Sequence, residues 1–304
     1  ELYSKNLEEE FIEDLLKSGV YAPKEDIAET LKNIGSLLNS AQTIEEAVSV
    51  LLGEINDKIK ELIESGYPIP GWNIGVDSGV ITASTYGGVL DSFGRPMTKD
   101  AIFDVASITK LFTQVISYNL IEEGFYSLDS KISDLHPKFK NAENLDIKTI
   151  MMFAFSYTIN GQIENASSKE EAKDILYTLG VREKDSYAYI DFGMMCLKEV
   201  MEYVTGKSFE QLVDGYIVNK LGLKNTFLNV PEDKLNLLTG TPNAHLGRNN
   251  DMKAIKTGGF SGNAGILTDS ESLLKVVKNL YVNPEFFPND KIYHVYTESD
   301  YSKN

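Results

Sequence analysis

The order of predicted elements in this 304-residue sequence favours an α/β or α+β fold over a repeat architecture. Helical patterns come first, a strand hairpin follows, and the middle of the chain is again mostly helical. No internal repeat or low-complexity tract interrupts this order. Hydrophobic residues make up 42% of the chain, which is enough to bury a substantial core. A wholly disordered chain is therefore excluded.

The N-terminal part of the chain shows apolar residues at helical spacing, starting with Phe11, Ile12, Leu15 and Leu16. Thr43–Glu46 is a capping-box signature ahead of an apolar run from Leu51 to Ile63, and Gly66 ends that run. We therefore predict a helical N-terminal extension over residues 1–65 and a second domain over residues 66–304.

Beyond residue 66 the pattern changes to strands. Residues 72–76 and 80–86 predict two strands joined across a turn at 77–79. A loop rich in Gly and Pro follows from Gly87 to Met97. A helix is predicted to begin near Ala106 and to end at Gly124. Further helices are predicted around 170–180, 192–206, 208–220 and 270–281.

Charge and composition exclude several classes of function. The formal net charge is −16 and the sequence has no basic stripe, so nucleic acid is a poor partner. No stretch approaches the ~18 apolar residues that a membrane span needs. The single Cys196 excludes an intramolecular disulfide framework and a Cys-rich zinc site. Because it lies in an apolar run, we expect a buried, inert thiol.

Most nucleophile and cofactor systems are absent as motifs. The three histidines have no metal-ligand spacing, and there is no Gly-x-Ser-x-Gly elbow, P-loop or dinucleotide fingerprint. No metal and no cofactor are therefore predicted. A Ser-His-Asp triad is not excluded, although no motif indicates one.

The Ser107-Ile108-Thr109-Lys110 segment offers a nucleophile without histidine. The i, i+3 spacing places the hydroxyl and the amine on one helix face. The positive end of the helix dipole stabilises a developing alkoxide, and partial burial favours a neutral lysine that can take the serine proton. The bare pattern is weak, because Ser272–Lys275 repeats it in an ordinary amphipathic helix.

Several segments in order carry a family resemblance. Gly94–Lys110 resembles the entry to the active-site helix of the serine β-lactamase and penicillin-binding-protein superfamily, in its class C-like branch. Tyr189–Gly193 is similar to the Tyr-x-Asn segment of that family. The blocks 220–227, 247–254 and 263–267 resemble later motifs, two of them typical of a subgroup that includes hydrolases of peptidoglycan fragments. The resemblance extends from about Gly66 to Leu280.

The resemblance implies a β-lactamase/DD-peptidase-like fold, with an antiparallel sheet flanked by helices and a helical subdomain. It implies that Ser107 is the acylated nucleophile, that Lys110 is its base and that Tyr189 handles the proton of the leaving atom. The Ser107 backbone N–H would form one arm of an oxyanion hole. Asp191 and Asn263 would take substrate-binding positions.

Three departures from the family pattern stand against this interpretation. Asp191 replaces an asparagine, and a carboxylate facing Lys110 would favour the ammonium and weaken the base. The alternative is that Asp191 faces solvent or a backbone donor. The polar Leu-Thr-His-Thr-Ser-Gly loop is replaced by the apolar segment 151–156, for which we favour a place in the core. Asn250 and Asn263 replace the histidines of the subgroup.

The third departure concerns the last motif, Lys or His followed by Thr or Ser and Gly, on a late strand. Lys256-Thr257-Gly258 matches it but lies upstream, on an apparent Gly-rich loop, and we interpret the match as a coincidence. The C-terminal strands of the family are thus expected to be missing. Either the sequence is a fragment, or the N-terminal helices and the run 292–296 replace those strands, or a second chain or homo-oligomer completes the sheet.

Three functional hypotheses follow. The first is a serine hydrolase acting on a small amide or ester, with peptidoglycan-derived peptides as the substrate class. The second is a catalytically degenerate homologue that serves as a surface binding or structural module. A true β-lactamase is third, because the negative charge does not attract an anionic drug. An extracytoplasmic or cell-surface location is implied only by the family's work on cell-wall material; otherwise the chain is cytoplasmic.

Overall fold

The computed structural model describes residues 32–33, 35–36, 41–184, 188–240 and 249–287. The described residues form two compact units, one reaching Gly88 and the other starting at Val89. The helices predicted around residues 11–16 and the strand-like run 292–296 lie outside the described residues. The predicted division into domains at residues 65 and 66 stays a prediction.

The first unit contains a long helix, α1 (Ile44–Glu64). The Thr43 side chain accepts a hydrogen bond from the Glu46 backbone N–H at 3.1 Å, so the predicted cap begins the helix. Gly66, at φ +94°, ends it, and its N–H donates to the carbonyl of Ile63 at 2.9 Å. Glycine suits this left-handed position because it has no Cβ.

A hairpin completes this unit, with antiparallel strands β1 (Gly71–Asp77) and β2 (Thr82–Gly88). The prediction that the second strand begins at residue 80 was wrong. The Ser78 backbone N–H donates to the carbonyl of Ile81 at 3.0 Å, so residues 78–81 form the turn.

The second unit is mixed, with helices that alternate with short strands. Its helices are α2 (Thr109–Glu122), α3 (Ile132–Leu135), α4 (Ile147–Met151), α5 (Lys169–Leu176), α6 (Asp191–Thr205), α7 (Phe209–Val213), α8 (Asn219–Leu221), α9 (Met252–Lys256) and α10 (Ser270–Val282). Its strands are β3 (Phe103–Asp104), β4 (Phe155–Thr158), β5 (Gly180–Lys184), β6 (Thr226–Phe227) and β7 (Leu267–Thr268).

Most of the predicted helices are present, with changed ends. The helix predicted around 170–180 ends at Leu176, because the strand β5 already begins at Gly180. The segment 208–220 is helical but contains a π-helical turn, Asp214–Val218, between α7 and α8. The helix predicted from Ala106 starts with a 3₁₀ turn, Ala106–Ile108, and becomes α-helical at Thr109.

The core of this unit lies around α2 and α6. Phe112, Val115, Ile116 and Leu120 of α2 have no exposed surface, and residues 192–201 of α6 are all buried. Most of these buried residues are apolar, and the two charged ones, Lys198 and Glu199, pair with each other at 2.9 Å. Cys196 is buried there as predicted, and burial raises the pKa of its thiol. No helix of the described ranges has both the length and the apolar content that crossing a membrane requires.

A three-stranded antiparallel sheet, in the order β3-β7-β6, leads the chain into the Ser107 turn. Just before β7, the segment 261–265 passes very close to α6. A Cβ at Gly262 would lie 2.0 Å from the Met194 carbonyl oxygen, so no larger residue fits. This close approach fixes the position of Asn263.

Candidate active site

Ser107 lies in the 3₁₀ turn that connects β3 to α2. The preceding residue, Ala106, has φ +45°, a left-handed conformation that a residue with a Cβ rarely adopts. Asp104 supports this turn, because its Oδ1 accepts from the Ala106 N–H at 2.9 Å and its Oδ2 accepts from the Asn250 N–H at 2.7 Å. Ser107 itself is exposed. The strained turn thus presents the serine to solvent.

The hydroxyl of Ser107 and the amine of Lys110 are in direct contact. The distance from Lys110 Nζ to Ser107 Oγ is 2.7 Å. Lys110 is 4% exposed, whereas the serine is open to solvent. The i, i+3 spacing therefore brings the two groups together as the sequence predicts, although the serine belongs to a 3₁₀ turn.

Two further groups hold the Lys110 amine. Asp191 Oδ1 lies 2.8 Å from Nζ, and the Asn263 backbone carbonyl accepts from Nζ at 3.3 Å. Asp191 is the first residue of α6, so the start of that helix faces the start of α2. The alternative in which Asp191 faces only solvent or a backbone donor is excluded by this contact.

Asp191 also binds a second lysine. Its Oδ2 accepts from Lys253 Nζ at 3.0 Å, and Glu164 Oε1 lies 3.5 Å from the same Nζ. Burial raises the pKa of the Asp191 carboxyl, but the bonds from Lys110 and Lys253 outweigh burial, so the pKa is lower than usual. Burial lowers the pKa of Lys253, yet the bond with Asp191 outweighs it and raises that pKa. The carboxylate is therefore ionised at neutral pH.

Tyr189 lies beside the amine, with its ring against it. The distance from Lys110 Nζ to the ring centroid is 4.8 Å. The ring stacks on Phe153, with centroids 5.4 Å apart and an angle of 22° between the planes. Among the described residues the Tyr189 hydroxyl makes no hydrogen bond with Ser107 or Lys110, and the side chain is 57% exposed. Much of Tyr189 is thus open to solvent beside the Lys110 amine.

Asn263 contributes its backbone to the site and leaves its side chain unpaired. The residue has no exposed surface, and neither Nδ2 nor Oδ1 has a hydrogen-bond partner within the described part of the chain. Asn250 Oδ1 is likewise buried without a partner there. Buried amide groups without hydrogen-bond partners cost free energy, which an ordered water would reduce.

The apolar segment 151–156 belongs to the core, as favoured from the sequence. Met151, Ala154 and Phe155 are buried. Phe153 adopts φ +53° and supports Tyr189 through the ring stack.

Two other sequence patterns, 256–258 and 272–275, do not contribute side chains to the contacts described around Ser107. Lys256 ends α9 and donates to the Ala166 carbonyl at 2.6 Å, and the Thr257 hydroxyl donates to the Lys253 carbonyl at 2.8 Å, so 256–258 is a helix end and not a strand. This supports the interpretation of that match as a coincidence. Ser272–Lys275 lies within the amphipathic helix α10.

Sequence reasoning missed two residues of this site, Asp104 and Lys253. Lys253 contacts Asp191, which lies 62 residues away along the chain. Asp104 supports the nearby Ala106 turn, but its second contact is with Asn250, 146 residues away. The only available signal was that a carboxylate at 191 needs a counter-ion beyond Lys110. Among the described residues no group of three or more His, Cys, Asp or Glu side chains could hold a metal ion.

The fold is that of the class C β-lactamases. The crystal structure of a class C beta lactamase from Rhodobacter sphaeroides superposes with a TM-score of 0.63 at 20% sequence identity, over 76% of this chain and 67% of that one. At this identity the likeness shows the fold alone.

Sequence comparison identifies the family. A family model described as Beta-lactamase matches residues 56–293. The chain therefore belongs to the beta-lactamase family of serine hydrolases. It is 25% identical over 190 residues to a beta-lactamase of Yersinia enterocolitica, covering 59% of this chain and 47% of that protein. It is 24% identical over 242 residues to an N-acetylmuramyl-L-alanine amidase of Bacillus subtilis (strain 168), covering 71% of this chain and 55% of that protein. The chain thus spans about half the length of these relatives.

Proposed function

We propose that this chain is a serine hydrolase that forms an acyl-enzyme on Ser107, with Lys110 as its base. The observation that carries the proposal is the 2.7 Å contact between an exposed hydroxyl and a buried amine. A hydroxyl in contact with a base can become a nucleophile, and its exposure lets a carbonyl carbon reach it. The proposed substrate is a small amide or ester derived from peptidoglycan.

In the acylation step, the neutral Lys110 amine takes the proton of the Ser107 hydroxyl as Oγ attacks the substrate carbonyl. A C–O bond forms and the carbonyl electron pair moves to oxygen. The Ser107 backbone N–H stabilises that oxyanion, since it lies in the first turn of a helix, where backbone donors have no helical acceptor. Collapse of the intermediate breaks the bond to the leaving nitrogen or oxygen, which needs a proton.

Tyr189 is the proposed donor of that proton. The residue is 57% exposed and its ring lies against the Lys110 amine. Lys110 becomes an ammonium when it receives the serine proton, and an ammonium close to a phenol stabilises the phenolate. Tyr189 can then give its own proton to the leaving atom. Water then attacks the acyl-enzyme, and reversed proton transfers release the acid and restore Ser107.

The substrate class rests on relatives as well as chemistry. One relative is named as an N-acetylmuramyl-L-alanine amidase, which supports a peptidoglycan fragment as the substrate. Work on such material would fit an extracytoplasmic or cell-surface location, which we propose with it. Fractionation of the source cells tests the location, and light scattering tests whether the chain assembles with copies of itself.

The test of the nucleophile is covalent labelling. A fluorophosphonate probe and a labelled penicillin are each incubated with the wild type, Ser107→Ala and Ser272→Ala. Ser272 is the matched control, because it begins the second Ser-x-x-Lys pattern but lies in α10. We expect the wild type and Ser272→Ala to be labelled and Ser107→Ala to stay unlabelled. Labelling of all three proteins, or of none, removes the hydrolase proposal.

The substrate is tested separately by mass spectrometry of peptidoglycan fragments after incubation with the wild type and Ser107→Ala. We expect a cleaved amide or ester only with the wild type. Nitrocefin is included, and fast hydrolysis of it together with intact fragments would favour a true β-lactamase.

A second candidate function is a degenerate homologue that binds without catalysis. It is favoured by the 2.8 Å contact between Asp191 and Lys110, since an ion pair holds the amine as an ammonium. An unlabelled but folded wild-type protein that retains peptidoglycan fragments on a column would support this candidate.

A further inference from the structure

Four charged side chains lie in series across the site, each from a different part of the fold. Lys110 of α2 contacts Asp191 of α6 at 2.8 Å, Asp191 contacts Lys253 of α9 at 3.0 Å, and Lys253 lies 3.5 Å from Glu164. The two lysines use different oxygens of the one carboxylate. The amine that touches Ser107 is thus one end of a charge series.

This arrangement changes the electrostatics of Lys110. A buried amine that faces one ionised carboxylate is stabilised as an ammonium, which cannot accept a proton. Asp191 is the charged group that faces it among the described residues; its other contacts are Ser107, the Asn263 carbonyl and the Tyr189 ring.

A second cation on the same carboxylate opposes that effect. Lys253 Nζ binds Oδ2, so it offsets the negative charge and draws the carboxylate toward α9. The acidic groups that act on Lys253 are Asp191, Asp251 and Glu164. Because the pKa of Lys253 is raised, its side chain stays positively charged at neutral pH, where Lys110 has to be neutral to act as a base.

We propose that Lys253 is a positioning residue of the active site, which holds Asp191 and balances its charge so that Lys110 can lose its proton. This inference rests on the proposed role of Lys110 as the base of Ser107. Lys253 does not touch Ser107 in the structure, and it acts through Asp191. An aspartate can therefore occupy the position of the family asparagine without disabling the amine.

The first experiment measures how the rate of Ser107 labelling by a fluorophosphonate depends on pH, between about pH 5 and pH 10. The variants are Lys253→Met, Lys253→Arg, Asp191→Asn and the double variant Asp191→Asn/Lys253→Met. Lys256→Met is the matched control, because it removes one cation from the same helix and its amine contacts the Ala166 carbonyl instead.

We expect the inflection of the curve of labelling rate against pH to move to another pH. We do not expect the labelling rate to fall by the same factor at every pH. In Lys253→Met the inflection moves to higher pH, and a displacement of about one pH unit slows labelling about tenfold on its acidic side. Lys253→Arg keeps the wild-type profile, Asp191→Asn moves the inflection to lower pH, and the double variant labels well at neutral pH. Lys256→Met leaves the profile unchanged. An unmoved inflection in Lys253→Met, or an equal loss at every pH, overturns the proposal.

The second experiment does not depend on activity. The lysine ε-carbons are labelled with ¹³C in a Ser107→Ala background, and the Lys110 signal is assigned by its loss in Lys110→Arg. We expect Lys253→Met to raise the titration midpoint of Lys110, and an unchanged midpoint overturns the inference. If the wild type is never labelled by the fluorophosphonate, the hydrolase proposal fails, while this titration still decides whether Lys253 controls the amine.

Discussion

The Nζ atom of Lys110 lies 2.8 Å from Oδ1 of Asp191, so a carboxylate contacts the amine that is paired with the exposed serine. The family pattern has an amide at this position. An amide can accept from a lysine without adding charge, whereas Asp191 adds a negative charge that must be balanced. The charges of Asp191 and of the two lysines that contact it depend on protonation, so both the stability and the chemistry of this site depend on pH.

Asp191→Asn is expected to lower the free energy of unfolding at neutral pH, with a loss that shrinks in acid. The folded-state pKa of Asp191 is depressed, so its contribution is present above the ordinary carboxyl pKa of about 4 and is lost as the pH falls through the lower folded-state value. Urea unfolding of both proteins at several pH values measures the difference. A constant difference down to strong acid would contradict the assignment.

Tyr189→Phe is expected to separate two kinds of substrate. The ring stack on Phe153 needs no hydroxyl, so the fold should be unchanged. Loss of the proposed proton donor should slow cleavage of amides with basic leaving groups about a hundredfold, and labelling by an activated phosphonate much less. Steady-state rates with matched activated and unactivated substrates test this. Equal slowing of both would assign Tyr189 to binding instead.

Asp104→Ala should slow Ser107 labelling, because two backbone N–H groups lose their acceptor and the Ala106 turn loses its support. A cost of about 1 kcal/mol in stability is expected, since water can reach part of this turn. The control is Asp100→Ala, an exposed position in the turn that precedes β3. Labelling rates and thermal unfolding are compared, and an unaffected Asp104→Ala would show that the turn holds without the carboxylate.

The sequence predicts the parts of the site that depend on local geometry. The contact between Ser107 and Lys110 follows from helical spacing, and the ends of α1 follow from its cap and from Gly66. The contact between Lys253 and Asp191 depends on how α9 packs, and no local pattern encodes such packing. The strands β3, β6 and β7 are two residues long, too short to show alternation.

Glu199→Gln should affect stability and not labelling. Glu199 is 5% exposed and accepts bonds from Lys173, Lys198 and Tyr177. Burial opposes its ionisation, but the two lysines lower its pKa to about 2. Its contribution is thus present at neutral pH and falls away only in strong acid.

The expected loss for Glu199→Gln is about 2 kcal/mol, because Lys173 loses its charged partner while the buried Lys198 keeps its bond with Glu202. Urea unfolding measures it, with the exposed Glu54→Gln as control. A loss as small as that of the control would show that the buried ion pairs contribute little.

Cys196 should resist thiol reagents in the folded protein. It has no exposed surface and burial raises its pKa, so the reactive thiolate is scarce. Reaction with a chromogenic disulfide is expected to follow global unfolding in urea. Fast modification of the native protein would mean that α6 opens locally.

Because its single cysteine is buried, the protein is also convenient for fluorescence labelling through an introduced thiol. A cysteine introduced at position 281, where the native Tyr281 is 78% exposed, would carry one dye without removal of the buried Cys196. A second dye delivered covalently to Ser107 would complete a donor–acceptor pair within the second compact unit. Energy transfer between the two would follow movement of α10 relative to the labelled Ser107, one molecule at a time.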